Sequence, residues 1–297
     1  MVIDSHVHCF PDRLAPRAVT TLKAASPGLL CYTDGTLNGV RASMRRGGVD
    51  VSVICPVATN PGQAGNVNDF SIAINGSEGI VALGSVHPDQ REWETELRRI
   101  RDAGLPGIKL HPEYQSFYVD EPRMLQIYET CVTLGLVIVF HAGVDLGYPG
   151  QVHCTPRRFR RVAERVDTSR FVLGHMGAWS MWDEVEEHLV GLDVYFDTAY
   201  CFGHIDRAQF LRMVRRHGTG KVLFATDSPW KDQGEYVRAL RAAGLGPDEF
   251  SAIAGGNAAK LFGVQTEANG RCGRRTDRND VVAGMRDKFF RKMRGKL

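Results

Sequence analysis

The 297-residue chain predicts an α/β fold, a (β/α)8 barrel followed by a basic C-terminal helical extension. Three observations predict it. Eight short apolar runs alternate with amphipathic stretches, as in a parallel sheet covered on its outside. No glycine-rich phosphate loop follows the first run, which argues against an open doubly wound sheet. Histidine, lysine or aspartate stands at the end of six runs, and a closed barrel gathers strand ends on the one rim where barrel enzymes keep their chemistry.

The strand-like runs are 2–6, 51–55, 80–86, 107–110, 137–141, 171–175, 193–197 and 222–227. Helical patterns occupy 38–47, 93–103, 122–134, 156–166, 181–190 and 206–217. Thr155-Pro156 supplies an N-cap and a proline at the first helical position, and Gly104, Gly135, Gly191 and Gly218 fall where helices should stop. Residues 1–263 are therefore assigned to the barrel. From 264 the composition changes, through Asn269-Gly270-Arg271-Cys272-Gly273, to a linker and a last helix. Val281, Met285, Phe289, Met293 and Leu297 recur every four residues there, among Arg286, Lys288, Arg291, Lys292 and Arg294. Such a stripe is expected to dock on the barrel or on a sister subunit of a homo-oligomer, with attachment to a membrane surface as the alternative.

Charge is unevenly spread. After residue 265 there are ten Lys/Arg against four acids, leaving 27 against 30 in the rest, so a net charge of +3 hides a mildly acidic body. The basic tail carries no nucleic-acid-reading motif, and a nucleic-acid partner is not expected. No apolar run is long enough to span a bilayer, and the first strand begins too early for a cleavable leader, which places the expected location in the cytoplasm. Seven cysteines without a CxxC pair, set in apolar segments such as 53–55 and 130–132, read as reduced thiols.

The chemistry begins at Asp4-Ser5-His6-Val7-His8. Strand side chains alternate, so His6 and His8 share a face about 7 Å apart and can converge on one cation. By the same parity Asp4 is placed to brace an imidazole. The other rim groups are Lys109, His141, His175, Asp197 and Asp227, with His111 sharing the parity of Lys109. Tyr148 to His153, Trp179 to Trp182, and Trp230 follow the fifth, sixth and eighth strands. Aromatic loops with a few cations suit a small, flat or carboxylated organic substrate.

The motifs DSHVH, GIKLH, FHAG, GHMG and ATDSPW together resemble the amidohydrolase superfamily, and more closely its amidohydrolase-2 branch of metal-dependent hydrolases and aminocarboxymuconate-semialdehyde or resorcylate-type decarboxylases. The resemblance covers residues 1–263, including the closing segment Gly256-Asn257-Ala258-Ala259-Lys260-Leu261-Phe262. It implies that His6, His8, His141 and Asp227 bind one divalent cation, Zn2+ first, with Mn2+ or Fe2+ as alternatives. Imidazole and carboxylate suit such ions.

It also implies catalytic roles for Asp227 and His175 in moving protons, with Asp197 orienting an imidazole. Lys109 is an ammonium that pairs with a substrate carboxylate or, if carboxylated, a bridge to a second ion served by His175. A TatD-like nuclease expects a carboxylate where this chain has Lys109. The expected activity is hydrolysis of an amide, lactone or ester by metal-activated water. The alternative is a decarboxylase (lyase) of a small aromatic or enoic acid, and a non-catalytic metal- or partner-binding barrel is the third reading.

Overall fold

The computed structural model describes residues 1–148 and 150–265, so the tail helix expected from the sequence lies outside the described residues. Eight parallel strands appear in chain order: β1 (Ile3–Val7), β2 (Val51–Ile54), β3 (Ile80–Ala82), β4 (Gly107–Leu110), β5 (Val137–Phe140), β6 (Phe171–Leu173), β7 (Tyr195–Asp197) and β8 (Val222–Leu223). Continuous ladders join β1 to β3 and β4 to β8. The seam between them is spanned by a parallel bridge from Gly84 to Ile108, and the seam between β1 and the chain after β8 by one from Val7 to Ser228. Main-chain bonds from Lys109 N to Gly84 O, Ser5 N to Phe224 O and Asp227 N to His6 O, each 2.9 Å, reinforce both seams. The ring is the (β/α)8 barrel.

Strand parity carries the design from floor to mouth. Ile3, Val53, Leu83, Val137, Val139, Val172 and Leu223 point inward, where Ala258, Leu261 and Phe262 of the closing helix α11 (Asn257–Phe262) meet them. Their neighbours Ile54, Ile108, Leu110, Ile138, Phe140 and Phe196 face the surrounding helices. Each large aliphatic side chain removed from water there contributes about 1.5–3 kcal/mol. Toward the mouth the same inward parity reaches Lys109 on β4, His111 and His141 just past the ends of β4 and β5, and Asp197 on β7.

Several expected boundaries hold. Thr155 accepts from Arg158 N at the start of α6 (Pro156–Ala163), a cap of about 1 kcal/mol. Gly135 and Gly218 take positive φ just past α5 (Pro122–Thr133) and α8 (Arg207–His217). Five helices were not predicted: α1 (Ala15–Ala25), α3 (Ala64–Ile74), α9 (Gln233–Ala242), α10 (Pro247–Ser251) and the closing α11. The third and last strands are shorter than their apolar runs. Beyond Leu223, side chains replace the ladder: Thr198 Oγ1 accepts from Ala225 N, and Asp4 accepts from Thr226. All six described cysteines are free. No helix among the described residues is long and apolar enough to cross a membrane.

Candidate active site at the mouth of the barrel

On β1 the alternation breaks. Asp4 pairs with Ser52 but Val7 pairs with Ile54, so three steps on β1 oppose two on β2. This one-residue bulge turns His6 and His8 inward and leaves Asp4 facing the helices. Asp4 accepts from Thr226 N at 2.9 Å, Thr226 Oγ1 at 2.6 Å and Gln233 Nε2 at 2.8 Å, and so ties the first strand to the last. The expectation that Asp4 braces an imidazole is corrected: it meets His6 only at the backbone N. Burial pushes its carboxyl up to about 6, against those hydrogen bonds.

Hydrogen-bond partners fix the faces of the imidazoles. Asp197 Oδ2 lies 2.9 Å from His6 Nδ1, and its Oδ1 accepts from His175 N and Ala199 N. Burial raises the Asp197 carboxyl, but His6 and those donors outweigh it and hold it below its usual range. As a carboxylate it accepts a hydrogen bond from His6 Nδ1–H, leaving an electron pair at Nε2. His8 Nδ1 donates to Cys55 O at 2.8 Å, and a carbonyl only accepts, so His8 Nε2 is also bare. That atom stands 3.1 Å from Asp227 Oδ1, and His6 Nε2 stands 3.8 Å from it.

His6, His8 and Asp227 therefore place three acceptor atoms within 4.8 Å of one another. Acceptors facing acceptors at these distances repel unless a positive charge lies among them, so the set fits a divalent cation. Asp227 sits at φ 68°, a strained conformation for a residue with a Cβ. Burial raises its carboxyl, but the surrounding imidazoles of His8, His6 and His175 hold it far below the usual carboxylate range. His8 and Asp227 keep 18% and 13% side-chain exposure against 1% for His6, which makes them the open edge of the site.

His175 reaches the mouth by a different device. Gly174 passes so close that a Cβ there would lie 2.9 Å from Phe140 O and 3.5 Å from His6 Cε1. His175 and Met176 then adopt positive φ, 63° and 55°, and swing the imidazole inward. Its Nδ1 contacts Ala199 O at 2.9 Å and its Nε2 contacts His141 Nδ1 at 3.0 Å. His141 meets His175 there, and its ligand atom also groups with those of His111 and Asp145.

Lys109 is 1% exposed, and its Nζ lies 3.0 Å from His6 Nε2, occupied inside the site. Burial lowers its pKa. A second cation on this side of the molecule is Lys231, half-buried, with its Nζ 4.1 Å over the Tyr200 ring and within electrostatic reach of Asp227. Trp179 flanks Tyr200 at 6.3 Å between centroids. Lys231 was missed in the sequence, although a basic residue directly after the DSPW motif was there to be noticed. Trp230 is buried and packs, and Trp182 Nε1 donates to His175 O at 3.0 Å, so neither overhangs a pocket freely.

A family model described as Amidohydrolase matches residues 3–264. The chain belongs to the amidohydrolase family. A search of curated proteins found no match. Among solved structures, this amidohydrolase is similar to 5-carboxyvanillate decarboxylase of Sphingomonas paucimobilis (20% identity, 89% of this chain and 99% of that one, TM-score 0.67). It is also similar to a dihydroxybenzoic acid decarboxylase of Polaromonas with bound manganese and the inhibitor 2-nitroresorcinol (15%, 89% and 97%, 0.63). A third is a Pseudomonas putida protein assigned as a 2-pyrone-4,6-dicarboxylic acid hydrolase (16%, 90% and 98%, 0.62). At these identities the likeness is one of fold.

Proposed function

We propose that this amidohydrolase is a metal-dependent hydrolase acting on an amide, lactone or ester of a small carboxylated or cyclic organic molecule. The observation that carries the reading is the convergence of His6 Nε2, His8 Nε2 and Asp227 Oδ1, three electron pairs with no hydrogen among them. These residues hold the ion. Zn2+ suits two imidazoles and a carboxylate, and Mn2+ or Fe2+ suit the same donors. When bound, the ion supplies a Lewis acid and lowers the pKa of water toward neutrality.

The chain's own groups do the rest. Asp227, kept ionised, is the base at the open edge. His175, whose Nδ1 donates to Ala199 O, holds an electron pair at Nε2 with which it takes a proton from the reacting water and then gives that proton to the leaving group. Asp197 positions both His6 and the His175 backbone. Lys231 anchors a substrate carboxylate, the task first assigned to Lys109. Lys109 instead competes with the ion for the His6 electron pair, and burial favours its neutral amine, which releases that pair and is the form carboxylation requires.

Decarboxylation is the second reading, favoured by the decarboxylases that share this barrel. A panel of lactones, amides and esters set against hydroxylated aromatic and enoic acids decides. The hydrolase reading expects cleavage without carbon dioxide. Carbon dioxide release without cleavage installs the lyase reading, and inertness of the metal-loaded protein on the whole panel leaves the non-catalytic barrel.

A further inference from the structure

Past β7 the chain is clamped on several sides. Thr198 Oγ1 donates to Ala225 O at 2.9 Å, Ala199 N donates to Asp197 Oδ1 at 3.0 Å, and Ala199 O accepts from His175 Nδ1 at 2.9 Å. The bonds that fix the His175 ring thus also fix the backbone leading into the next residue, Tyr200. Tyr200 sits at φ 56°, the left-handed region that a bulky residue occupies only where its surroundings impose it.

Aromatic neighbours hold its ring as well. His204 stacks on it, with centroids 5.3 Å and planes 14° apart, and Trp179 meets it edge-on at 6.3 Å. Trp179 is itself pinned. Its N donates to Ala142 O at 2.8 Å and its O accepts from Val144 N at 3.1 Å, an approach that leaves no room for a Cβ on Gly143.

Over this fixed ring Lys231, four residues after Asp227, lays its Nζ at 4.1 Å from the centroid. Trp230 N donates to Asp227 O at 2.9 Å and the Trp230 side chain is buried, so the lysine stem starts from a fixed point. The side chain is half-buried, and among the described residues no carboxylate reaches its ammonium at ion-pair distance; Asp227 and Glu235 attract it from further off. A lysine head otherwise ranges over four torsions, whereas a tyrosine face attracts it without neutralising it. The result is a cation held near Asp227 with its charge uncompensated.

We infer that Tyr200 is the positioning residue for Lys231, holding its ammonium where it meets a carboxylate of the substrate. The inference rests on the role given to Lys231 above and deepens it. Lys231 and the metal-binding trio are separate groups, so the substrate is an anion whose carboxylate is distinct from its reacting bond. Tyr200 sets the preference for that carboxylate through its ring face, not its hydroxyl.

The zinc-loaded full-length protein is titrated calorimetrically with isophthalate and with its monoamide, 3-carbamoylbenzoate, which share one carboxylate and differ in the charge of the second group. The parent is expected to bind isophthalate about tenfold more tightly, and Lys231→Met to lose that preference. Tyr200→Leu should cut the preference about fivefold with zinc content and melting temperature kept, whereas Tyr200→Phe keeps it. Adding Tyr200→Leu to Lys231→Met should cost nothing more. A full preference in Tyr200→Leu, a loss in Tyr200→Phe, a further loss in the double variant, or no preference in the parent overturns the inference. Binding requires no turnover, so a protein inert on the substrate panel still tests it, and hydrolysis without the preference overturns the role of Tyr200 while leaving the reaction standing. Should Tyr200→Leu fail to fold or to load zinc, the parent decides through 13C-methylated lysines. A Lys231 signal, assigned by its absence from Lys231→Met, that lies upfield under the Tyr200 ring supports the inference; one at the position of free lysine overturns it.

Discussion

At the floor of the barrel Ile3, Val137, Val172 and Leu223 pack against Leu261 and Phe262; three or four residues further along the same strands stand His6, His141, His175 and Asp227. The floor is built from groups with no charge to manage. The mouth buries imidazoles and carboxylates, and their ionisation shows it: burial, aided by Lys109, pushes His6 down to about 4, and burial holds His111 and His141 well below the usual histidine range. One end of the strands supplies stability through packing, while the other holds a geometry that is unfavourable without a cation.

The sharpest way to break this division is at the mouth. Asp227→Asn keeps the shape but removes the charge, and kcat/KM is expected to fall about a thousandfold, equivalent to about 4 kcal/mol, with the melting temperature little changed. A melting temperature that collapses with the activity would make Asp227 structural. At the floor, Leu223→Ala should do the opposite, lowering unfolding free energy by about 3 kcal/mol in denaturant titrations while metal content is kept. Loss of metal without loss of stability contradicts the comparison.

Acid sharpens it further through His217, remote from the mouth. Its Nε2 donates to Val194 O at 2.8 Å, it stacks on Phe196, and burial lowers its pKa to about 4. The unfolded chain protonates near 6.5, so stability from His217 is complete above that pH and is lost as pH falls toward 4, by up to about 3 kcal/mol. Thermal melts from pH 7 to 4 should show the decline, and His217→Gln, which can keep the bond to Val194 O, should flatten it. An unchanged slope removes His217 as a source. The smallest effect is expected at the rim: Lys231→Met should raise KM for a carboxylated substrate about tenfold and leave kcat alone. An equal rise for an uncharged analogue would show that Lys231 does not read the carboxylate.

Much of the barrel was legible because period-two strands repeat one rule. Val137-Val139-His141 states in five residues which face is interior and where the interior becomes polar. What escaped reading depends on contacts far apart in sequence. Nothing in Asp4-Ser5-His6-Val7-His8 announces a bulge, because its cause is pairing with β2 and the hold of Thr226 and Gln233 on Asp4. His175 lies inward only because Gly174 lets the strand turn against His6. Helix α1 buries Ala15 alone and so has no apolar stripe, and α3 carries Gly65, Asn66 and Asn68, poor helix formers that long-range packing overrides. The grouping of His111 with His141 and Asp145 required knowing that two neighbouring strands end side by side.

Diffraction data collected across the absorption edge of the bound metal test the central claim most directly. The account predicts an anomalous peak about 2.0–2.2 Å from His6 Nε2, His8 Nε2 and Asp227 Oδ1 together. A metal-loaded crystal with no peak among those three atoms contradicts it.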